Sequence, residues 1–291
     1  MSELHLKKEI EKISYEILRG SKSLDVYPTP VDKIVSYAEL SVNSGIDLSS
    51  IHPNYLSKAT DALKRAIEKV QGVLVWREKE IYLDLSIHES KQKFVKLHEV
   101  GHSVLTWQQK IYEVFGDDES TLDIDTREEF EAEANFFASA TLFQQDRFLS
   151  EMAKLGLGID SAMYLSNLFG ASRHATLRKY VEHSKNRCAL IVLKDCTSCG
   201  AKLRDIFQSK NFTKTFGELR IPLVLDFYTW PFIQDYVTGR RLKKDGKMTI
   251  ATSNGETDFT YHFFNNTYNA FVFFFPVGEK KSTRTKIIIS K

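Results

Sequence analysis

Cysteine is sparse in this chain, three in 291 residues. An odd, scattered set of thiols cannot build a disulfide framework and fits a reducing compartment. A charge excess of either sign is also missing: 40 basic against 38 acidic residues leave a net +2, so no global field points to nucleic acid. Two short basic clusters, Arg240, Arg241, Lys243 and Lys244, then Lys280, Lys281, Arg284 and Lys286, read as solvated turns rather than a nucleic-acid track. No apolar run approaches the ~20 residues needed to span a bilayer. Residues 3 to 18 place Leu6, Ile10, Ile13 and Ile17 at helical spacing between charges, unlike a signal peptide. The expectation is a cytoplasmic protein with no membrane partner. Repeats and low-complexity tracts are absent as well.

What remains is an ordinary globular balance, 42% hydrophobic and 27% charged, in a chain long enough for two modest domains. After the first helix comes a turn-rich connection from Gly20 to Pro30. PVDKIVSYAEL (residues 30 to 40) then predicts a helix opened by Pro30, followed by an extended piece ending at Asp47. Leu56, Ala59, Leu63, Ile67 and Val70 share one face of a helix over residues 54 to 70. VLVW (73 to 76) and IYLDL (81 to 85) predict a hairpin around REKE, a turn without the usual glycine. Helices are expected at about 91 to 107 and 126 to 142, and a helix, turn and second helix at 161 to 183, with Ser172 capping the last. From about Arg187 the composition turns to strand-like runs rich in phenylalanine: CALIVL, IPLVLDF, KMTIATS, DFTYHFF, AFVFFFP and KIIIS. The fold class expected is α+β. A helical part with a small hairpin sheet would fill residues 1–186, and a sheet-rich α+β domain residues 187–291.

The stretch KFVKLHEVGHSVL, residues 93 to 105, carries His98-Glu99-x-x-His102. Positions four apart lie on one helical face, so both imidazoles can point at one ion. Glu99 sits about 100° round the helix, where it can reach a water without ligating the metal. This is the spacing of zinc metalloproteases. The metal acidifies water, and the glutamate moves its proton to the leaving amine. The plain alternative is a helix with two structural histidines. Phe94, Leu97, Val104 and Leu105 would bury this helix, and buried His and Glu need partners. Gly101 would let another backbone approach, and the hairpin upstream offers an edge strand for an extended substrate.

A catalytic zinc site takes a third protein ligand and keeps one position open. REEFEAEANFFASATLF, residues 127 to 143, offers Glu128, Glu129, Glu131 and Glu133. Glu128 reads as solvated. Spacing alone does not choose among the other three, although Glu131 and Asn135 share a face on which Asn135 could hold a ligand histidine.

FVKLHEVGHSVL followed by EAEANFFASATLF resembles the ImmA/IrrE family of zinc metallo-endopeptidases, and PVDKIVSYAEL resembles its N-terminal helix. The likeness covers roughly residues 25 to 145. It implies that His98 and His102 bind zinc, that Glu99 is the general base, and that Glu131 is the third ligand with Glu133 as runner-up. The family usually ends the second helix with proline where this chain has Gln144. The resemblance also implies a substrate, a helix-turn-helix transcriptional repressor whose cleavage would derepress stress or mobile-element genes.

Three other features carry less. Cys196-Thr197-Ser198-Cys199 has only Cys188 as a further thiol, so it reads as two reduced cysteines in a turn. The helical pair at 161 to 183 carries Arg173, His174, Arg178 and Lys179 on its second helix. It reads as packing against the protease core, and direct nucleic-acid binding is not expected. The C-terminal phenylalanines read as core before ligand pocket. The function expected is therefore zinc-dependent endopeptidase, with a C-terminal regulatory or substrate-recruiting domain. The alternative is a non-proteolytic zinc-binding or DNA-binding regulator of the same fold.

Overall fold

The computed structural model describes residues 3–48, 72–115 and 124–279. The helix expected over 54 to 70, the second basic cluster and the KIIIS strand lie outside them. Among the described residues there are ten helices and two sheets, a mixed α+β fold whose helical part precedes a sheet-rich one. Contacts divide the chain into two compact units. One takes Met1–Phe148 with Asn167–Ser172, the other Leu149–Ser166 with Arg173–Lys291.

In the first unit, α1 (Glu3–Gly20) and α2 (Val31–Tyr37) precede β1 (Ser41–Asp47). The expected hairpin is β2 (Gly72–Val75) paired antiparallel with β3 (Glu80–Leu83), and β1 runs parallel to β3, giving the order β1-β3-β2. The turn manages without glycine because Lys79 takes a left-handed backbone, φ 53°. Next come α3 (Glu89–Val104), α4 (Thr106–Phe115) and α5 (Ile124–Leu142). The first of these was expected to run on to residue 107. It stops instead at Leu105, which is extended (φ −76°, ψ 98°) while its N–H still bonds Gly101, and α4 starts in a new direction. At the end of α5, Gln144 and Gln145 are left-handed, φ 49° and 51°. The fully buried Gln144 amide accepts from Asp25 N–H at 2.7 Å and donates to Val26 O and Thr29 Oγ1. The residue standing in the proline position thus ties the turn after α1 to the end of α5.

Helix α6 (Asp146–Met152) spans the division, and in the second unit helices α7 (Ile159–Phe169, through Ser166) and α8 (Arg173–Glu182) join a six-stranded antiparallel sheet. Its strands are β4 (Ala189–Lys194), β5 (Gly200–Gln208), β6 (Val224–Asp226), β7 (Leu242–Thr252), β8 (Gly255–Asn265) and β9 (Ala270–Pro276), in the order β6-β5-β4-β9-β8-β7. Successive side chains of a strand face opposite ways. Ile191, Phe259, Tyr261, Phe263 and Phe274 therefore share one apolar cluster with Phe212 of α9 (Lys210–Phe216) and Phe232 of α10 (Pro231–Val237). On the alternate positions, Phe271 and Phe273 meet His174 and Tyr180 of α8, ring centroids 5.8 and 5.9 Å apart. The phenylalanine-rich strands are buried on both faces, and these rings are core.

The division expected at residue 187 marks where composition changes, and packing changes earlier. Leu177, Tyr180 and Val181 of α8 are buried, and α8 packs on β4 and β5. An apolar helix face adopts whichever surface covers it, which its own pattern does not name.

Candidate metal centre

Helices α3 and α5 cross at Gly101. A Cβ there would lie 3.2 Å from the Ala134 Cα and 3.2 Å from the Phe137 ring, so only glycine allows this approach without displacement. His98 lies one turn before Gly101, and Glu131 one turn before Ala134. The crossing therefore sets those two side chains opposite each other.

The geometry is tight. His98 Nε2 and His102 Nε2 are 3.1 Å apart, and Glu131 Oε2 and Oε1 lie 3.3 Å from the first and 3.4 Å from the second. Two ligands of a tetrahedral zinc with bonds of about 2.0–2.1 Å are separated by about 3.3 Å. The contacts among the three side chains are thus of that length, and one ligand atom from each lies within 4.8 Å of the others, a set that could hold one such ion. Among the described residues this is the one His/Cys/Asp/Glu group so arranged.

Charge agrees with shape. Burial by itself would push His102 down, but bonds and charges outweigh it: the Glu131 hydrogen bond, then the Glu99 and Glu131 charges and the Gln108 bond. The ring rises from 6.5 to about 9. Burial would likewise raise Glu131, yet its hydrogen bonds with His102 and His98 hold it well below its ordinary 4.5. Both shifts describe a site that favours positive charge between these atoms.

Glu99 is buried, 4% exposed, beside the two histidines on α3. Gly72 of β2 faces it, since a Cβ on Gly72 would come 2.3 Å from Val95 Cγ1 and 3.3 Å from Glu99 Oε1. The hairpin strand is thus laid directly against the histidine helix.

The other acids of α5 go elsewhere. Glu128 and Glu129 are exposed. Glu133 accepts from Trp107 Nε1 at 2.7 Å and Gln108 Nε2 at 2.6 Å. Asn135 is exposed, and the polar partner of His102 is instead Gln108, whose Oε1 lies 2.7 Å from His102 Nδ1. Sequence reading missed Gln108. The break at Leu105 folds α4 back so that a residue six positions after His102 can reach its ring, and helical periodicity carries no sign of that break.

The side motifs resolve plainly. Cys196 and Cys199 are exposed free thiols in the turn between β4 and β5, and Cys188 is buried. Two exposed arginines of α8 reach over rings of the sheet. Arg173 sits 4.7 Å over the Phe264 ring and Arg178 5.1 Å over Phe207, and Arg178 also pairs with Glu182. No helix among the described residues is long and apolar enough to cross a membrane.

A Mycobacterium tuberculosis transcriptional regulator of known structure is similar in fold, with TM-score 0.51 and 11% identity over 93% of this chain and 76% of its own. No curated protein gives a significant sequence match. Residues 57–180 match the peptidase family described as the IrrE N-terminal-like domain. That match spans both site helices and supports the resemblance of this part of the chain to the ImmA/IrrE family.

Proposed function

We propose that the protein is a zinc-dependent endopeptidase whose metal is held by His98, His102 and Glu131 and whose general base is Glu99. The observation that carries this reading is the convergence of three ligand-type side chains, with nitrogen–nitrogen and nitrogen–oxygen contacts of 3.1 to 3.4 Å, on the helix pair of a peptidase family. A zinc ion bound there would supply Lewis acidity, easing proton loss from water and stabilising negative charge on a carbonyl oxygen. Glu99, one residue from His98 and shielded from solvent, takes the proton of the attacking water. It returns that proton to the nitrogen of the leaving amine as the peptide bond breaks. Gly72 and the rest of β2 flank this helix, which favours an extended substrate segment aligned beside the strand.

The substrate proposed is a helix-turn-helix transcriptional repressor in the cytoplasm, and the sheet-rich unit recruits it or regulates access. Likeness in fold to a transcriptional regulator is compatible with such a setting. The test is cleavage of a purified helix-turn-helix repressor from the same organism, starting with any encoded beside this protein. Zinc-loaded wild type should cut it, and Glu99→Gln should keep its zinc and lose at least ~100-fold in rate. Equal rates for the two proteins would rule out Glu99 as the base. Absence of zinc from the wild-type chain would rule out the centre.

A further inference from the structure

We infer that Gln108 is a positioning residue of the metal centre, holding His102 in the tautomer whose Nε2 lone pair faces the ion. This deepens the reading above and rests on it. The Gln108 side chain is fully buried, so its amide must find partners within the protein. Its Nε2 points at two acceptors, the Phe130 carbonyl at 3.2 Å and, at 2.6 Å, the Glu133 Oε2 that also accepts from Trp107. Flipping the amide would set its oxygen against both, so the orientation is determined. Oε1 then faces His102 Nδ1 at 2.7 Å. An amide oxygen only accepts, and His102 Nδ1 must therefore carry the hydrogen. In the neutral ring this leaves Nε2 as the lone-pair nitrogen, and Nε2 is the atom that meets His98 and Glu131.

Glu133 anchors the clamp from behind. Its Oε2 also accepts from Trp107 Nε1 at 2.7 Å, so α4 contributes two donors to one oxygen. The second glutamate of the α5 motif thus orients a ligand through Gln108 and does not itself reach the centre. Any residue at position 133 with a suitably placed acceptor oxygen can do this.

The experiment measures zinc affinity by chelator competition on full-length protein, together with long-range proton–nitrogen correlations of the histidine rings in the zinc-loaded state. Gln108→Leu should weaken zinc binding ~10–100-fold, the usual range for losing an outer hydrogen bond to a ligand. The wild-type spectrum should show His102 protonated at Nδ1. Should Gln108→Leu fail to fold, Glu133→Leu and Glu133→Gln read the same clamp. The first should weaken zinc binding, and the second, which keeps an acceptor oxygen, should stay close to wild type. A purely structural Gln108 would lower the melting temperature while leaving zinc affinity and ring-nitrogen shifts unchanged, and that result overturns the inference. So would His102 protonated at Nε2, or zinc loss in Glu133→Gln as complete as in Glu131→Gln. Wild-type protein that binds no zinc would instead remove the centre on which the inference rests.

Discussion

Gly101 and Ala134 meet backbone to backbone where the two site helices cross, with room of only 3.2 Å between a Cβ on the first and the Cα of the second. Gly101→Val must push the helices apart or distort both. Overpacking of this kind costs about 1–3 kcal/mol. The variant should melt several degrees lower and retain less zinc, because His98 and Glu131 lose their registration. Wild-type melting and zinc content, measured by calorimetry and elemental analysis, would show that the crossing does not set the site.

Glu131 and Glu133 should separate cleanly on substitution. Glu131→Ala removes a side chain that touches both histidines, and zinc content should fall to a small fraction of one per chain. Glu133→Ala removes only the anchor of Gln108, so zinc should still bind, though more weakly. Elemental analysis after extensive dialysis distinguishes them. Loss confined to the second variant would exchange their roles.

The metal-free protein should show a pH signature of the Glu131–His102 pair. Its contribution has two limits. His102 is raised from 6.5 to about 9, so its part is fully present below pH 6.5 and fades as pH climbs through 9. Glu131 is lowered from 4.5, so its part is present above pH 4.5 and fades as pH falls further. The melting temperature of metal-free wild type relative to Glu131→Gln should be most favourable between these limits, at about pH 5 to 6, and should narrow by pH 10. A difference that is flat from pH 5 to pH 10 would deny the pairing.

A chain ended at residue 186 should be poorly soluble. It would keep α8 but remove β4 and β5, against which that helix packs, leaving Leu177, Tyr180 and Val181 uncovered. Such apolar faces drive association. Size-exclusion chromatography should show aggregates, whereas a monodisperse truncated chain would place the packing elsewhere.

The histidine helix was legible because its chemistry is local: four-residue spacing and an apolar surround specify one buried face. The hairpin was legible too, with Lys79 doing at the turn what glycine usually does. Choosing Glu131 over Glu133 needed the family resemblance, because the choice depends on how α5 crosses α3. The role of Gln108 depends on a helix break at Leu105, a non-glycine, non-proline residue that tertiary packing turns extended. Phenylalanines on both faces of the strands signalled burial without naming the covering helices. For that reason the expected neighbour fits only part of the helical pair at 161 to 183: Phe169 packs on Phe143 and Phe148 of the first unit, while the second helix lies on β4 and β5.

Glu131 and Glu133 stand two residues apart on one rigid helix, one turned toward the histidines and the other toward Gln108. Any displacement of that helix carries both carboxylates with it. The third ligand and the anchor of Gln108 would therefore move together. A shift of α5 large enough to release the ion would also slacken the ring of His102, so metal loss and loss of ligand orientation would be one event.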